Sequence, residues 1–309
     1  MINSTTPTPS IVCFGEILWD IFPTGARAGG APFNVAYNLK KMGIDARMIS
    51  RAGNDDLGKE LLHKISEWGI PTTDCQIDNT YATGTVEAVI DENNEAHYTI
   101  IEPVAWDFIT MQDRYEPLLK NAEAFVFGSL ITRNETSRNT LLKLLEVSQF
   151  NVFDINIRPP VFSPSIVKEL LQKAHLVKMN KAELRQVTML TSKEYVSEDD
   201  NVRALQEQFS INEVLLTKGS NGALYYTQTK KYNCPAIPVD VKDTVGSGDS
   251  FLAGFLSYKA MNKSIEETLL NAAMLGAFIT SKEGACPPYT PSEFEAFKNS
   301  KMQTPLIIE

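Results

Sequence analysis

The stretch Asp243-Thr244-Val245-Gly246-Ser247-Gly248-Asp249-Ser250-Phe251 carries the strongest chemical signal in the chain. Followed by the apolar run Leu252-Ala253-Gly254-Phe255-Leu256, it reads as the start of a buried helix. Backbone N–H groups converge at such a start and the helix dipole favours negative charge, so Gly246, Ser247 and Gly248 would form an anion hole. Asp249 falls in the first turn, where its carboxylate can take a proton from an alcohol lying beside that anion. A general base and an oxyanion cradle at one helix start suit phosphoryl transfer to a hydroxyl. Taken alone, Asp249 can equally be a helix cap. Two other phosphate-binding patterns fail: a Walker loop lacks its lysine, and Phe251 would take the third glycine position of a dinucleotide fingerprint.

Other chemistries are poorly supplied. His63, His97 and His175 stand far apart, with no H-E-x-x-H or H-x-H spacing, and no G-x-S-x-G elbow is present. Cys13, Cys75, Cys234 and Cys286 contain no C-x-x-C pair, which argues against a zinc knuckle or a disulfide framework and for reduced thiols in a cytoplasm. Acidic residues outnumber basic ones, 38 against 29, for a formal net charge of −9. That balance disfavours nucleic-acid binding, which needs clustered cations, and a polybasic membrane anchor. Residues Met1 to Ser10 are polar, with neither a basic nor an apolar signal-peptide region, and are expected to form a disordered tail. No apolar run approaches the roughly 20 residues that span a bilayer.

The elements that must position these residues alternate. Short apolar runs at Ile11–Phe14, Ala124–Phe127, Asn151–Phe153, His175–Val177 and Val214–Thr217 end at or near glycine or polar residues. Runs of this kind, buried on both faces, suit a parallel sheet. Between them, Leu57 to Trp68, Ser137 to Val147 and Ser165 to Ala174 repeat apolar residues at helical spacing. The pattern predicts a doubly wound α/β sheet with ligands outside the carboxyl ends of its strands. Thr83 to Ile100 breaks the alternation: two alternating strands flank the polar turn Asp91-Glu92-Asn93-Asn94, a hairpin beside which Ile17 to Phe22 could pair. At roughly 150 residues per domain, 309 residues allow two domains. The pattern reads instead as one main domain from residue 11 to 309, with a small β lid from about 16–24 and 83–108.

With these residues in view, the chain resembles the PfkB-type (ribokinase-like) carbohydrate kinases. The D-T-V-G-S-G-D-S-F stretch is similar to that family's D-T-x-G-A-G-D-x-F signature, with Ser247 in place of alanine. Gly29-Gly30-Ala31-Pro32-Phe33-Asn34-Val35-Ala36 resembles its N-terminal signature. The family's fold is a mainly parallel α/β sheet with a β lid. The resemblance implies that Asp249 is the catalytic base and that Gly246, Ser247 and Gly248 hold the charge on the transferred phosphate. It implies that Asp20, Gly30 and Asn34 bind the sugar. Asp154-Ile155-Asn156-Ile157-Arg158-Pro159-Pro160 resembles the D-x-N-x-R-P stretch of fructokinases and 2-keto-3-deoxygluconate kinases, with Ile155 where proline is more usual. It places Asn156 at the substrate and Arg158 at the γ-phosphate or an acidic substrate group. Asn180 and Glu183 match an N-x-x-E motif that supports phosphate and magnesium, with Glu183 reaching the metal through water. Thr217, Gly219 and, more loosely, Asn271 match nucleotide-side positions. Gly53-Asn54-Asp55-Asp56-Leu57-Gly58 matches a structural turn.

The resemblance therefore implies an ATP- and magnesium-dependent sugar kinase, closest to fructokinases. 2-Keto-3-deoxygluconate kinase, ribokinase and nucleoside kinase are the alternatives; Tyr98 or Trp106 would supply the aromatic stacking the last requires. A sugar-binding regulator without turnover is the alternative of another class, and the intact set around Asp249 speaks against it. The resemblance also implies a homodimer through the lid, and a monovalent cation such as potassium near Asp243 and the Glu283-Gly284-Ala285 loop.

Overall fold

The computed structural model describes residues 8–22, 25–90, 96–158, 163–191 and 194–302. The chain opens with β1 (Ser10–Phe14), β2 (Leu18–Phe22), β3 (Gly25–Gly29), α1 (Ala31–Lys41), β4 (Asp45–Gly53), α2 (Asp56–Glu67) and β5 (Cys75–Asp78). It continues through β6 (Gly84–Ile90), β7 (Ala96–Ile100), α3 (Tyr115–Lys120), β8 (Ala124–Gly128), α4 (Glu135–Leu145), β9 (Asn151–Asp154) and α5 (Pro164–Lys173). Then follow β10 (Leu176–Asn180), α6 (Lys181–Thr188), α7 (Glu198–Phe209), β11 (Glu213–Thr217), β12 (Ala223–Tyr226) and β13 (Lys231–Cys234). Three helices close the chain: α8 (Ser247–Ala260), α9 (Ile265–Thr280) and α10 (Pro291–Met302).

A nine-stranded sheet runs in the order β13-β12-β11-β10-β9-β8-β1-β4-β5. It is parallel from β5 to β11, and β12 and β13 extend it antiparallel. Strand β1 joins β4 on one side and β8 on the other, so the winding reverses there and leaves a crevice at the carboxyl ends. The apolar strands are covered on both faces. Ile11 and Cys13 of β1 pack with α1, α2, α8, α9 and α10, whereas Val12 and Phe14 pack with α3 to α7. This is the doubly wound α/β architecture that the alternating pattern predicts.

The second sheet has four strands in the order β3-β2-β6-β7. The expected hairpin is present as β6 and β7, paired from Val86↔Ile100 to Ile90↔Ala96; its turn, residues 91–94, lies outside the described residues. The stretch read as Ile17 to Phe22 pairs parallel to β6, as β2. The register puts Leu18, Asp20, Val86 and Ile100 on one face, and all four line the same cleft. Strand β3 was not legible, because Gly-Ala-Arg-Ala-Gly has no apolar alternation. Ser10, read as the last residue of the tail, lies in the large sheet, and residues 1–7 are outside the described residues. Ser10 pairs with Asp45 in the large sheet, and its Oγ donates to the Asp45 carbonyl at 3.3 Å.

Candidate active site

The start of α8 is built by close approach. Gly246, its N-cap, has φ 74°, and a Cβ there would lie 2.5 Å from that of Ala285. Glycine is required on both counts. Further along, a Cβ on Gly254 would come within 2.9 Å of Ala272 Cα, so α8 lies tight on α9. Thr280 of α9 bonds through its Oγ1 to Ser247 Oγ at 3.0 Å. Ser247 N–H turns back to the Thr244 carbonyl at 3.2 Å. Among the described residues, no partner is found at this helix start for the N–H groups of Gly246, Gly248 and Asp249. Of the three residues read as an anion hole, Gly246 and Gly248 keep their N–H groups open at this helix start, whereas the Ser247 N–H is engaged within the turn.

Asp249 does not cap α8, whose N-cap is Gly246 with no side-chain bond. Its Oδ2 instead accepts from Asn34 Nδ2 of α1 at 2.8 Å. The other face of the Asn34 amide is set by Cys286, whose Sγ donates to Asn34 Oδ1 at 3.3 Å. Burial raises the Asp249 carboxyl to about 6, against the pull of Lys178, Asn34 and Arg158; Asp154 pushes the same way as burial. A buried carboxylate that titrates near neutrality is suited to taking up a proton.

An open cleft of about 1320 Å³ runs past this carboxylate, large enough for two substrates side by side. At one end stand Asp20, Gly30, Asn34, Asn156 and Arg158, under the small sheet. Burial raises Asp20 to about 6, partly offset by Arg158 and Arg27. Gly30, with φ 121°, caps α1, and a Cβ there would strike the Glu16 carbonyl at 2.3 Å. Asn156 holds a left-handed φ of 39°, which re-aims the chain after β9. Arg158 is exposed at the cleft and makes no ion pair among the described residues. Glu16 also lines this end. It is 2% exposed, takes the Ala31 N–H on Oε1 at 3.2 Å, and is raised to about 7 by burial.

The other end is lined by Asn180, Glu183, Thr217, Gly219, Ala273 and Gly276. Asn180 and Glu183 form a reciprocal cap on α6: Asn180 Oδ1 accepts from Glu183 N at 2.9 Å and Glu183 Oε2 from Asn180 N at 2.7 Å. Glu183 Oε1 takes Ile157 N–H at 3.3 Å. Thr217 Oγ1 donates to the Met179 carbonyl at 3.3 Å, and Gly219 has φ 58°. Asn271 is a correction. It lies on α9 but not on the cleft wall: its Nδ2 bonds the Glu267 carbonyl at 2.8 Å and its Oδ1 takes Lys298 Nζ of α10 at 3.1 Å. Ala273 and Gly276 lie roughly half a turn around the α9 axis from Asn271, so the face that meets α10 is opposite the face that meets the cleft. Trp106 is also unsuited to stacking a base, being fully buried beneath the Arg133 guanidinium at 3.9 Å. The side chain of Tyr98 is outside those described.

Glu16, Asp154 and Lys178 line or adjoin the site but are not among the residues that the sequence assigns to it. The signal for Lys178 was available: a cation between Val177 and Met179, in a strand read as buried on both faces, requires a partner.

Residues 8–292 match the family described as pfkB family carbohydrate kinase. The chain belongs to that family. It is therefore a phosphotransferase acting on a carbohydrate hydroxyl, and its fold is the ribokinase-like one. Among curated relatives, a probable fructokinase-7 of Arabidopsis thaliana is 27% identical, covering 90% of this chain and 88% of its own length. A fructokinase of Salmonella typhimurium is 28% identical over 83% of this chain and 87% of its own. Among solved structures, a fructokinase with bound ATP from Xylella fastidiosa superposes with a TM-score of 0.84 at 23% identity, covering 95% of this chain and 99% of that one. This carbohydrate kinase has, among its described residues, no helix long and apolar enough to cross a membrane.

Proposed function

We propose that the protein transfers the γ-phosphoryl group of ATP to fructose, giving fructose 6-phosphate. The observation that carries this reading is the Asp249 carboxylate, held by Asn34 at the helix start whose open N–H groups face the cleft. In this reading the sugar lies at the end lined by Asp20, Gly30, Asn34 and Asn156, and the nucleotide at the end lined by Thr217 and Gly219. Asp249 takes the proton from the sugar hydroxyl as that oxygen forms its bond to phosphorus and the bond to the leaving ADP breaks. The open Gly246, Gly248 and Asp249 N–H groups receive the charge on the transferring phosphoryl. Asp20 and Asn34 select a polyol, because a substrate lacking the hydroxyl leaves them unpaired. The lid strands would exclude water and limit ATP hydrolysis.

Magnesium fits the nucleotide end as an ion carried mainly by phosphate and water. No cluster of three or more acidic, histidine or cysteine residues is present among the described residues, and both Glu183 oxygens already accept backbone N–H groups. Glu183, with Asn180 beside it, would hold the ion through water, and the ion would neutralise nucleotide charge. Potassium fits Asp243 less well: its oxygens already accept Val245 and Gly284 N–H, and Arg27 lies 3.7 Å away.

The exposed guanidinium of Arg158, without an ion pair among the described residues, favours a second acceptor, 2-keto-3-deoxygluconate, whose carboxylate it can pair with. A coupled assay of ADP release over fructose, 2-keto-3-deoxygluconate, ribose, adenosine and inosine separates the readings. Highest kcat/KM on fructose is expected, and preference for the keto-acid would overturn the substrate while leaving the reaction class. D249N should lose at least about a hundredfold in turnover, whereas near-parental turnover would remove Asp249 as the base.

A further inference from the structure

Strand β10 is apolar and central, yet it carries Lys178, 7% exposed. Its ammonium is held two-pronged by Asp154 at the end of β9, with Nζ 2.8 Å from Oδ2 and 3.0 Å from Oδ1. An ion pair in this position is a poor way to stabilise a sheet, since two apolar side chains of similar volume serve as well or better. Its placement offers another reason. A Cβ built on Gly248 would lie 2.8 Å from Lys178 Nζ. The ammonium therefore sits directly against the helix start that carries the open N–H donors, and it lines the same cleft. Among the described residues Asp154 is its one hydrogen-bond partner, which leaves at least one of its three N–H bonds open.

We propose that Lys178 is a further catalytic residue, donating its remaining N–H to the phosphoryl group during transfer, and that Asp154 is the positioning residue that aims it. The proposal rests on the kinase reading of the cleft and deepens it. Lys178 moves no proton: the sugar hydroxyl proton goes to Asp249, the sugar oxygen bonds phosphorus, and the bond to the nucleoside diphosphate breaks. The ammonium stays charged throughout. Burial alone would lower its pKa, but Asp154, Asp249 and Glu183 outweigh burial and hold it above the ordinary lysine value. Gly248 acquires a second duty, since any side chain there would displace the ammonium.

The test compares K178M, D154N and the double variant D154N/K178M, which leaves no unpaired buried charge. Each is measured as a ratio to the parent on the sugar the parent turns over best. A parent inactive on fructose but active on another sugar thus counts against fructose alone, and a parent inactive on all counts against the kinase reading. K178M and the double variant should lose about a hundredfold in kcat, the effect of removing one charge-stabilising donor. KM for the sugar should stay within about threefold, and D154N should retain more turnover than K178M. Double-variant turnover within threefold of parent, or D154N as slow as K178M, would overturn the assignment. Should the variants not fold, a crystal of the parent with sugar, ADP and aluminium fluoride decides: Lys178 Nζ within hydrogen-bond distance of a fluoride supports the role, and a longer separation ends it.

Discussion

A carboxylate that accepts a proton must first be without one. Asp249 is raised to about 6 by burial, so kcat/KM should fall as pH drops through that value and level off above it. A profile flat from pH 5 to 8 would remove Asp249 from the proton transfer. Its hydrogen bond depends on how the Asn34 amide is turned, and Cys286 decides that by donating to Oδ1. C286A should therefore raise KM for the sugar by about fivefold, with C286S near parent, because one hydrogen bond contributes about 1 kcal/mol. Equal effects of serine and alanine would show that the thiol packs and does not orient. None of these pairings was visible in spacing: Asn34 and Asp249 stand 215 positions apart.

Among the elements, the small sheet is tied to the body by Trp19 of β2, whose Nε1 donates to the Leu57 carbonyl of α2 at 3.0 Å, and by Arg27 of β3. Arg27, opposite Asp20 in the β2–β3 ladder, reaches Glu283 at 3.4 Å and Asp243 at 3.7 Å, on the two segments that flank the start of α8. Arg27 and Glu283 are 41% and 74% exposed, so the tie is worth at most about 1 kcal/mol and is screened by salt. KM for the sugar should rise with ionic strength in the parent and start high and change little in R27A. A parallel salt response in both would show that the latch does not contribute. The sheet itself was half legible. The β6–β7 hairpin followed from alternation, but β3 carries too few apolar residues to announce itself, and it is the strand that brings Arg27 to the body.

At the scale of the molecule, the buried pair of Arg133 and Asp107 bridges α4's approach and the segment leaving β7. Its contacts are 2.6 and 2.7 Å, with the guanidinium over Trp106. R133A leaves Asp107 buried and unpaired, and should lower unfolding free energy by about 3–5 kcal/mol in urea titration; a loss below about 1 kcal/mol would contradict that. The cleft works the other way. Glu16, Asp20 and Asp249 are held at about 7, 6 and 6, above ordinary carboxyls. The fold therefore binds their protons more tightly than the unfolded chain, and the stability they contribute is lost as pH rises through 6 to 7. Glu183, also raised by burial, acts in the same direction, and His175, lowered by burial, opposes them. The ligand-free protein should melt higher at pH 5.5 than at pH 8, and D249N should narrow the difference. An equal or lower melting temperature at pH 5.5 would show that these carboxyls are better solvated than their burial implies.

What the amino-acid sequence determined by itself is local. The helix start at Gly246 to Asp249 and the alternation of apolar strands with helices involve neighbours in the chain, so residue type and spacing suffice to read them. Packing decided the rest. It turned Asn271 toward Lys298 instead of the cleft, engaged Ser247 N–H with Thr244, and seated Lys178 between Asp154 and Gly248. Each of these depends on which strands lie side by side and how closely two helices approach, quantities that no stretch of contiguous residues encodes.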